Sequence, residues 1–90
     1  MIDTEQLQAT LQRDLDALER AHQELRLQMK LASADLKSEW SQLEQRLVLA
    51  REEIGRVHAH AKLHVEKIER ESRELLGGLR EGYERIRARL

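Results

Sequence analysis

Three histidines lie close together in the sequence and are of a type that can hold a metal ion. His60 and His64 are four residues apart, and His58 precedes His60 by two. Two histidines at i and i+4 share one helix face and can chelate Zn²⁺ or Ni²⁺. A complete site needs further ligands, and only Glu53 or Glu66 of a neighbouring chain could add one. We therefore predict that the chain has no metal site. The alternative is a site in which His60 and His64 are the ligands.

The sequence contains no arrangement of residues that is typical of a catalytic site. The chain has no Cys, and its Ser and Thr residues all fall within stretches of helical patterning. Its carboxylates alternate with Lys and Arg, as they do on a solvated helix face. The glycines match neither a phosphate-binding loop nor a dinucleotide fingerprint. The sequence predicts a protein that is not an enzyme and that has no cofactor.

The element that must position all of these residues is a helix. From Leu7 to Leu90 a mainly apolar position recurs 23 times over 83 residues, a mean spacing of about 3.6. His22 and Ser72 are the polar members of this seam. A mean of 3.6 rather than 3.5 predicts little supercoiling. We assign the oligomer interface to the larger seam residues. They are Leu25, Met29, Leu36, Trp40, Leu43, Leu47, Ile54, Val57, Val65, Ile68, Leu75, Leu79, Tyr83 and Ile86.

Composition supports a long helix or coiled coil. The chain has 90 residues, no Pro, no Phe, one Trp and one Tyr, and 37% of its residues are charged. Small chains bury a modest share of their surface, so oligomerisation is the expected remedy. The absence of Cys favours a reducing compartment. The start of the chain is acidic and resembles no signal peptide. We expect a cytoplasmic protein.

Charge is distributed unevenly along the chain. Residues 1–45 hold 5 Lys/Arg and 9 Asp/Glu, a net −4, whereas residues 46–90 hold 11 and 8, a net +3. An antiparallel pair, or a chain folded back on itself, sets the acidic half against the basic half. Each exposed ion pair contributes only about 0–1 kcal/mol, but their sum can select an orientation. The split favours antiparallel self-association; another helical protein is the alternative partner.

Few residues interrupt the helical pattern. Gly55 lies at mid-chain, where a hairpin turn would pair the two halves within one molecule. Residues 77–82 contain three glycines. They could form a hinge or could allow a neighbouring backbone to approach closely, and the sequence favours neither alternative. Residues 32–35 include Ser33 and Asp35, which are potential cap residues, but the apolar seam continues through them. We therefore expect the helix to continue as well.

The central region, roughly residues 25–65, is apolar on a second side. In a helix, Leu27, Leu31 and Ala34 lie opposite the seam, and Leu49, Ala59 and Leu63 extend this second side. A helix that is apolar on two sides is buried on two sides, which predicts a bundle of three or four helices at the centre.

The C-terminal segment is basic. Arg80, Arg85, Arg87 and Arg89 outnumber the two glutamates between residues 80 and 90. Such a helix end could contact the phosphates of lipid headgroups or of nucleic acid. The excess of charge is small, and cations are favourable near any helix C-terminus. We regard nucleic acid as an unlikely partner and a membrane or lipid surface as the alternative function.

Three stretches carry a resemblance to a known group of proteins. Residues 24–32 read ELRLQMKLA, residues 37–44 read KSEWSQLE, and residues 79–87 read LREGYERIR. Together they resemble small bacterial coiled-coil proteins of unknown function. The resemblance implies a bacterial soluble helical protein and no active site. The His-rich stretch 58–64 departs from that pattern.

These observations predict an all-α protein with one domain over residues 1–90. We expect long amphipathic helices that form an antiparallel coiled coil or helical bundle by oligomerisation, with a hairpin near Gly55 as an alternative. The expected role is that of a self-assembling scaffold or protein–protein interaction module.

Overall fold

The computed structural model describes the backbone of residues 4–90 and the side chains of residues 4–57 and 64–90. Helix α1 covers Thr4–Gln28, a 3₁₀ turn covers Met29–Leu31, and helix α2 covers Ala34–Arg89. The all-α prediction is confirmed. Residue 64 departs from helical geometry, with φ −142° and ψ 41° at His64. We call residues 34–57 the middle arm of α2 and residues 65–89 its C-terminal arm.

The chain folds back on itself twice. An unbroken helix over residues 4–90 would be about 130 Å long, but the longest dimension of the Cα trace is 46 Å. Helix α1 and both arms of α2 therefore lie side by side, and the middle arm is antiparallel to its two neighbours. The bundle that the sequence analysis attributed to several chains forms here within one chain.

The first reversal corrects the expectation of a continuous helix through residues 32–35. Ala32 and Ser33 have extended backbone, with ψ 158° and 164°. The Ser33 Oγ accepts a hydrogen bond from the Leu36 N–H at 3.3 Å, which caps α2. The apolar period persists through this segment because Met29 and Leu36 are buried on either side of the turn. Periodicity alone could not reveal the break.

The second reversal occurs at His64 rather than at Gly55, so the alternative of a hairpin turn near Gly55 is wrong. Gly55 lies within the helical middle arm, and a side chain added there would contact nothing within 4 Å. A single glycine without a neighbouring turn residue does not end a helix whose flanking residues, Ile54 and Val57, are fully buried. The burial of these two side chains stabilises the helical conformation through Gly55.

The glycines of residues 77–82 lie inside the C-terminal arm. Gly82 faces Leu43 of the middle arm so closely that a Cβ would collide with the Leu43 side chain. Close approach of a neighbouring helix therefore accounts for Gly82. A hinge at residues 77–82 stays a prediction.

The core runs along the seam. The seam residues assigned to an oligomer interface are buried within one chain, apart from Val65 and Leu75, which are partly buried. In this conformation the buried residues pack against one another, and their assignment to an oligomer interface stays a prediction. Among the described side chains, three ion pairs join different packed segments, and each links a carboxylate of the first half to an arginine of the second half. They are Glu19–Arg51 at 2.6 Å, Glu39–Arg89 at 3.2 Å and Glu24–Arg87 at 3.6 Å.

Candidate functional site

The only Trp and the only Tyr of the chain meet His22 inside the bundle. His22 comes from α1, Trp40 from the middle arm and Tyr83 from the C-terminal arm. The His22 and Trp40 rings stack with their centroids 4.4 Å apart and an angle of 10° between their planes. Tyr83 lies edge-on to His22 at 6.0 Å. One side chain from each of the three packed segments therefore contributes to this aromatic cluster.

A hydrogen bond completes the aromatic cluster. The Tyr83 hydroxyl and Nδ1 of His22 are 3.2 Å apart. Burial lowers the pKa of His22 below its usual range; Arg51 and Arg26 act in the same direction, and Glu44 and Glu19 oppose it. Burial also raises the pKa of Tyr83 to about 12. The imidazole is therefore neutral, and its tautomer sets whether Nδ1 accepts a hydrogen bond from the Tyr83 hydroxyl or donates one to it.

The aromatic cluster is enclosed by protein. His22, Trp40 and Tyr83 are each less than a tenth exposed. A polar pair that is satisfied inside a core specifies which side chains must meet. The arrangement therefore suits the positioning of three helical segments in one register.

Sequence reasoning did not bring these three residues together. It placed His22, Trp40 and Tyr83 on the seam but did not pair them. The available signal was the presence of three ring side chains at seam positions. Their meeting depends on where the chain reverses, and the positions of the two reversals were not predicted.

The second apolar side of the centre is exposed within the single chain, and its burial in an assembly stays a prediction. Leu27 is 69% exposed, Leu31 95% and Leu49 53%, and Ala34 is exposed as well. Ala59 and Leu63 lie outside the described side chains. Three packed segments bury one stripe of each helix, and the opposite stripe then faces solvent.

A groove runs between the two arms of α2. It is lined by Arg46 and Glu53 of the middle arm and by Glu71, Glu74, Leu75 and Gly78 of the C-terminal arm. A Cβ placed on Gly78 would contact nothing within 4 Å. The space therefore arises where the C-terminal arm has no side chain to fill it.

The candidate metal ligands are placed as follows. The side chains of His58 and His60 lie outside the described residues, and His64 is exposed at the second reversal. Among the described residues, no three His, Cys, Asp or Glu side chains are grouped closely enough to hold a metal ion.

The basic end of α2 is partly paired within the chain. Arg87 and Arg89 contact Glu24 and Glu39, as described above, so two of its four arginines contribute to packing of the bundle. In the part of the chain that the structure describes, no helix combines the length and the apolar character needed to cross a bilayer.

Comparison with protein-family models, with curated proteins and with solved structures gives no match to this chain.

Proposed function

We propose that this chain is a non-enzymatic helical module that acts by binding, through association with its own copies or with another helical protein. The observation that supports the proposal is the exposure of large apolar side chains, Leu27, Leu31 and Leu49, on a bundle whose core is already closed. Leu27 and Leu31 lie at the first reversal and Leu49 lies on the middle arm, and a large exposed apolar side chain is a candidate surface for another molecule to cover.

Mass measurement over a range of concentrations tests the proposal. Light scattering in line with size-exclusion chromatography, together with sedimentation velocity, should give a mass that rises above 10.6 kDa, the mass of one chain. A mass of one chain at every concentration would contradict self-association. The partner would then be a different helical protein.

A lipid surface is the second candidate, and a separate feature favours it. Leu31 and Leu90 line a shallow recess at the end of the bundle where residues 29–33 reverse the chain, and Arg89 lies beside them. Lys30 and Lys37 lie next to the same turn in sequence and are exposed. Apolar side chains surrounded by cations are typical of proteins that bind anionic membrane surfaces.

Flotation with liposomes separates the two candidates. A lipid-binding protein should float with anionic vesicles, remain at the bottom with neutral ones, and lose flotation in Leu31→Glu. Leu49→Glu is the matched control, because it places the same charge on the middle arm, away from the turn. A protein module should remain at the bottom with both kinds of vesicle.

A further inference from the structure

We propose that two copies of this chain pair by exchanging their C-terminal arms, which happens when α2 straightens at His64. In the exchanged pair, the C-terminal arm of each copy packs against α1 and the middle arm of the other copy. This pairing rests on the proposed function and names the surface through which copies associate, which is the buried seam itself.

The two reversals of the chain are built differently. The first has extended backbone at Ala32 and Ser33, and the Ser33 side chain caps the helix that follows. The second lies inside α2, which runs from Ala34 to Arg89 and departs from helical geometry at His64. Helical angles at this residue, about −63° for φ and about −42° for ψ, would join the two arms into one straight helix.

The sequence around the second reversal favours a straight helix. Residues 56–71 contain no Gly, Pro, Asn, Asp, Ser or Thr, the residue types that form turns or cap helices. Ten of these sixteen residues are Ala, Leu, Lys, Arg or Glu, which have high helix propensities. A bend without turn residues is stabilised by the packing of the arms on either side of it. A second copy that supplies the same packing therefore allows α2 to straighten.

The apolar seam is in phase across the bend. Val57 and Ile68 are buried in the middle and C-terminal arms, and they are eleven residues apart, which is about three turns of helix. A straight α2 therefore carries the stripes of both arms on one face. Its 56 residues would be about 84 Å long, and two such helices would pair antiparallel about a two-fold axis near residue 64.

The exchanged pair keeps the contacts of the single chain. The hydrogen bond between Tyr83 and His22, and the packing of Gly82 against Leu43, join the C-terminal arm to the other two segments. After exchange, the same contacts form between copies instead of within one. Exchange of an identical element needs no new complementary surface, so the closed bundle already contains the interface.

Paired cysteines show which chain supplies the C-terminal arm. The wild-type chain has no Cys, so a bismaleimide reagent links only introduced ones. E39C/R89C marks the middle and C-terminal arms, and the matched control E19C/R51C marks α1 and the middle arm. Each variant replaces an ion pair whose two side chains are between 33% and 50% exposed. The reagent can therefore reach both members of each pair.

Each variant is refolded from urea at several concentrations, and size-exclusion chromatography then separates monomer from dimer. In the dimer fraction, E39C/R89C should give two covalently joined chains on a denaturing gel, whereas E19C/R51C should give single cross-linked chains. In the monomer fraction, both variants should give single chains. A dimer fraction in which E39C/R89C also gives single chains would overturn the exchange, while self-association would stand.

Substitution of His64 tests the site of straightening. Alanine favours the straight helix and glycine favours the bend, and each dimer contains two such sites. Sedimentation equilibrium should therefore give a dimer Kd about thirtyfold lower for His64→Ala than for His64→Gly. Gln45→Ala and Gln45→Gly are the matched controls, because Gln45 is exposed and helical in both states, and their Kd values should be equal. Equal values for the two His64 variants would overturn His64 as this site.

Two further results would contradict the proposal. A refolded wild-type chain that stays monomeric up to about 1 mM, the weak end of specific association, would overturn both the exchange and self-association. Cross-linking of E19C/R51C between chains would place the exchange at the first reversal and would overturn straightening at His64.

Discussion

The aromatic cluster and the groove lie on the same helices but are packed in opposite ways. Around His22, Trp40 and Tyr83, ring side chains from α1 and both arms of α2 fill the interior and make a hydrogen bond. Along the groove, Gly78 presents no side chain and Leu75 is only partly buried. The comparison shows that one amphipathic pattern produces a closed or an open surface according to the size of the side chains that it carries.

Two of the three glycines in the C-terminal arm, Gly78 and Gly82, repeat the same contrast four residues apart. Gly82 is buried under Leu43 near the aromatic cluster, whereas Gly78 borders the empty groove. Both lie in regular helix, so their backbone requirements are alike. What differs is the space in front of each glycine: a Cβ at Gly82 would meet the Leu43 side chain, whereas a Cβ at Gly78 would meet nothing within 4 Å.

The largest expected effect on stability comes from a charge placed on the interior side of the middle arm. The same charge on the groove side should have a much smaller effect. Leu47 is 3% exposed, and Leu47→Asp would bury a charge without a partner and remove a core side chain. Loss of the packing alone costs about 2–5 kcal/mol, a large share of the stability of a small domain. Chemical denaturation should show Leu47→Asp largely unfolded. Leu49→Asp, two residues away, should stay helical, and equal unfolding of both would contradict the assignment of the two faces.

Substitution of Gly82 and of Gly78 by alanine should change the free energy of unfolding in opposite directions. Gly82→Ala forces the buried Leu43 side chain to move, and overpacking of this kind costs about 1–3 kcal/mol, of which better helix propensity offsets about 0.5–1 kcal/mol. Gly78→Ala adds a methyl group in open space and improves helix propensity, a gain of about 0.5–1 kcal/mol. Midpoints of urea unfolding measure both. A gain in stability from Gly82→Ala would show that the two arms are farther apart at that point than the structure has them.

Acidification should weaken the aromatic cluster and leave the groove intact. The pKa of His22 is lower in the folded chain than in the unfolded one, so the unfolded chain binds more protons as the pH falls. The contribution of His22 is therefore fully present above about pH 6.5 and is lost as the pH falls below it, through the folded pKa. Thermal midpoints between about pH 7.5 and 5 should fall more steeply for wild type than for His22→Gln. Parallel curves would show that His22 is not responsible.

Removal of a buried hydroxyl should give the smallest effect. The Ser72 side chain is fully buried, and its Oγ has no hydrogen-bond partner among the described residues. A buried polar group without a partner is costly, and Ala is a better helix former. Ser72→Ala should raise the free energy of unfolding by about 1 kcal/mol, as judged from urea denaturation with Ser41→Ala, an exposed position, as control. A destabilised Ser72→Ala would mean that the hydroxyl has a partner in solution.

The sequence alone determined which residues lie in the core. A recurrence of about 3.6 requires a helix with one apolar stripe, and the structure buries most of the predicted stripe between Leu7 and Ile86. Ala32, Val65 and Leu75 are only partly buried, Leu76 is buried although the stripe did not include it, and Ala61 lies outside the described side chains. Even the polar exceptions, His22 and Ser72, were identified at buried positions. Periodicity reports the direction of a side chain around its own helix, which is a local property.

The tertiary structure decided where the chain reverses and therefore which stripes meet. The cap at Ser33 was visible as a residue type, but the apolar period passes through it without a gap; the bend at His64 has no glycine or proline to mark it. The positions of these reversals set the register of the packed segments. They therefore decided that His22, Trp40 and Tyr83 meet and that the space at Gly78 stays empty. Contacts between residues 61 positions apart, such as that of His22 with Tyr83, follow from packing in three dimensions, which a one-dimensional period does not specify.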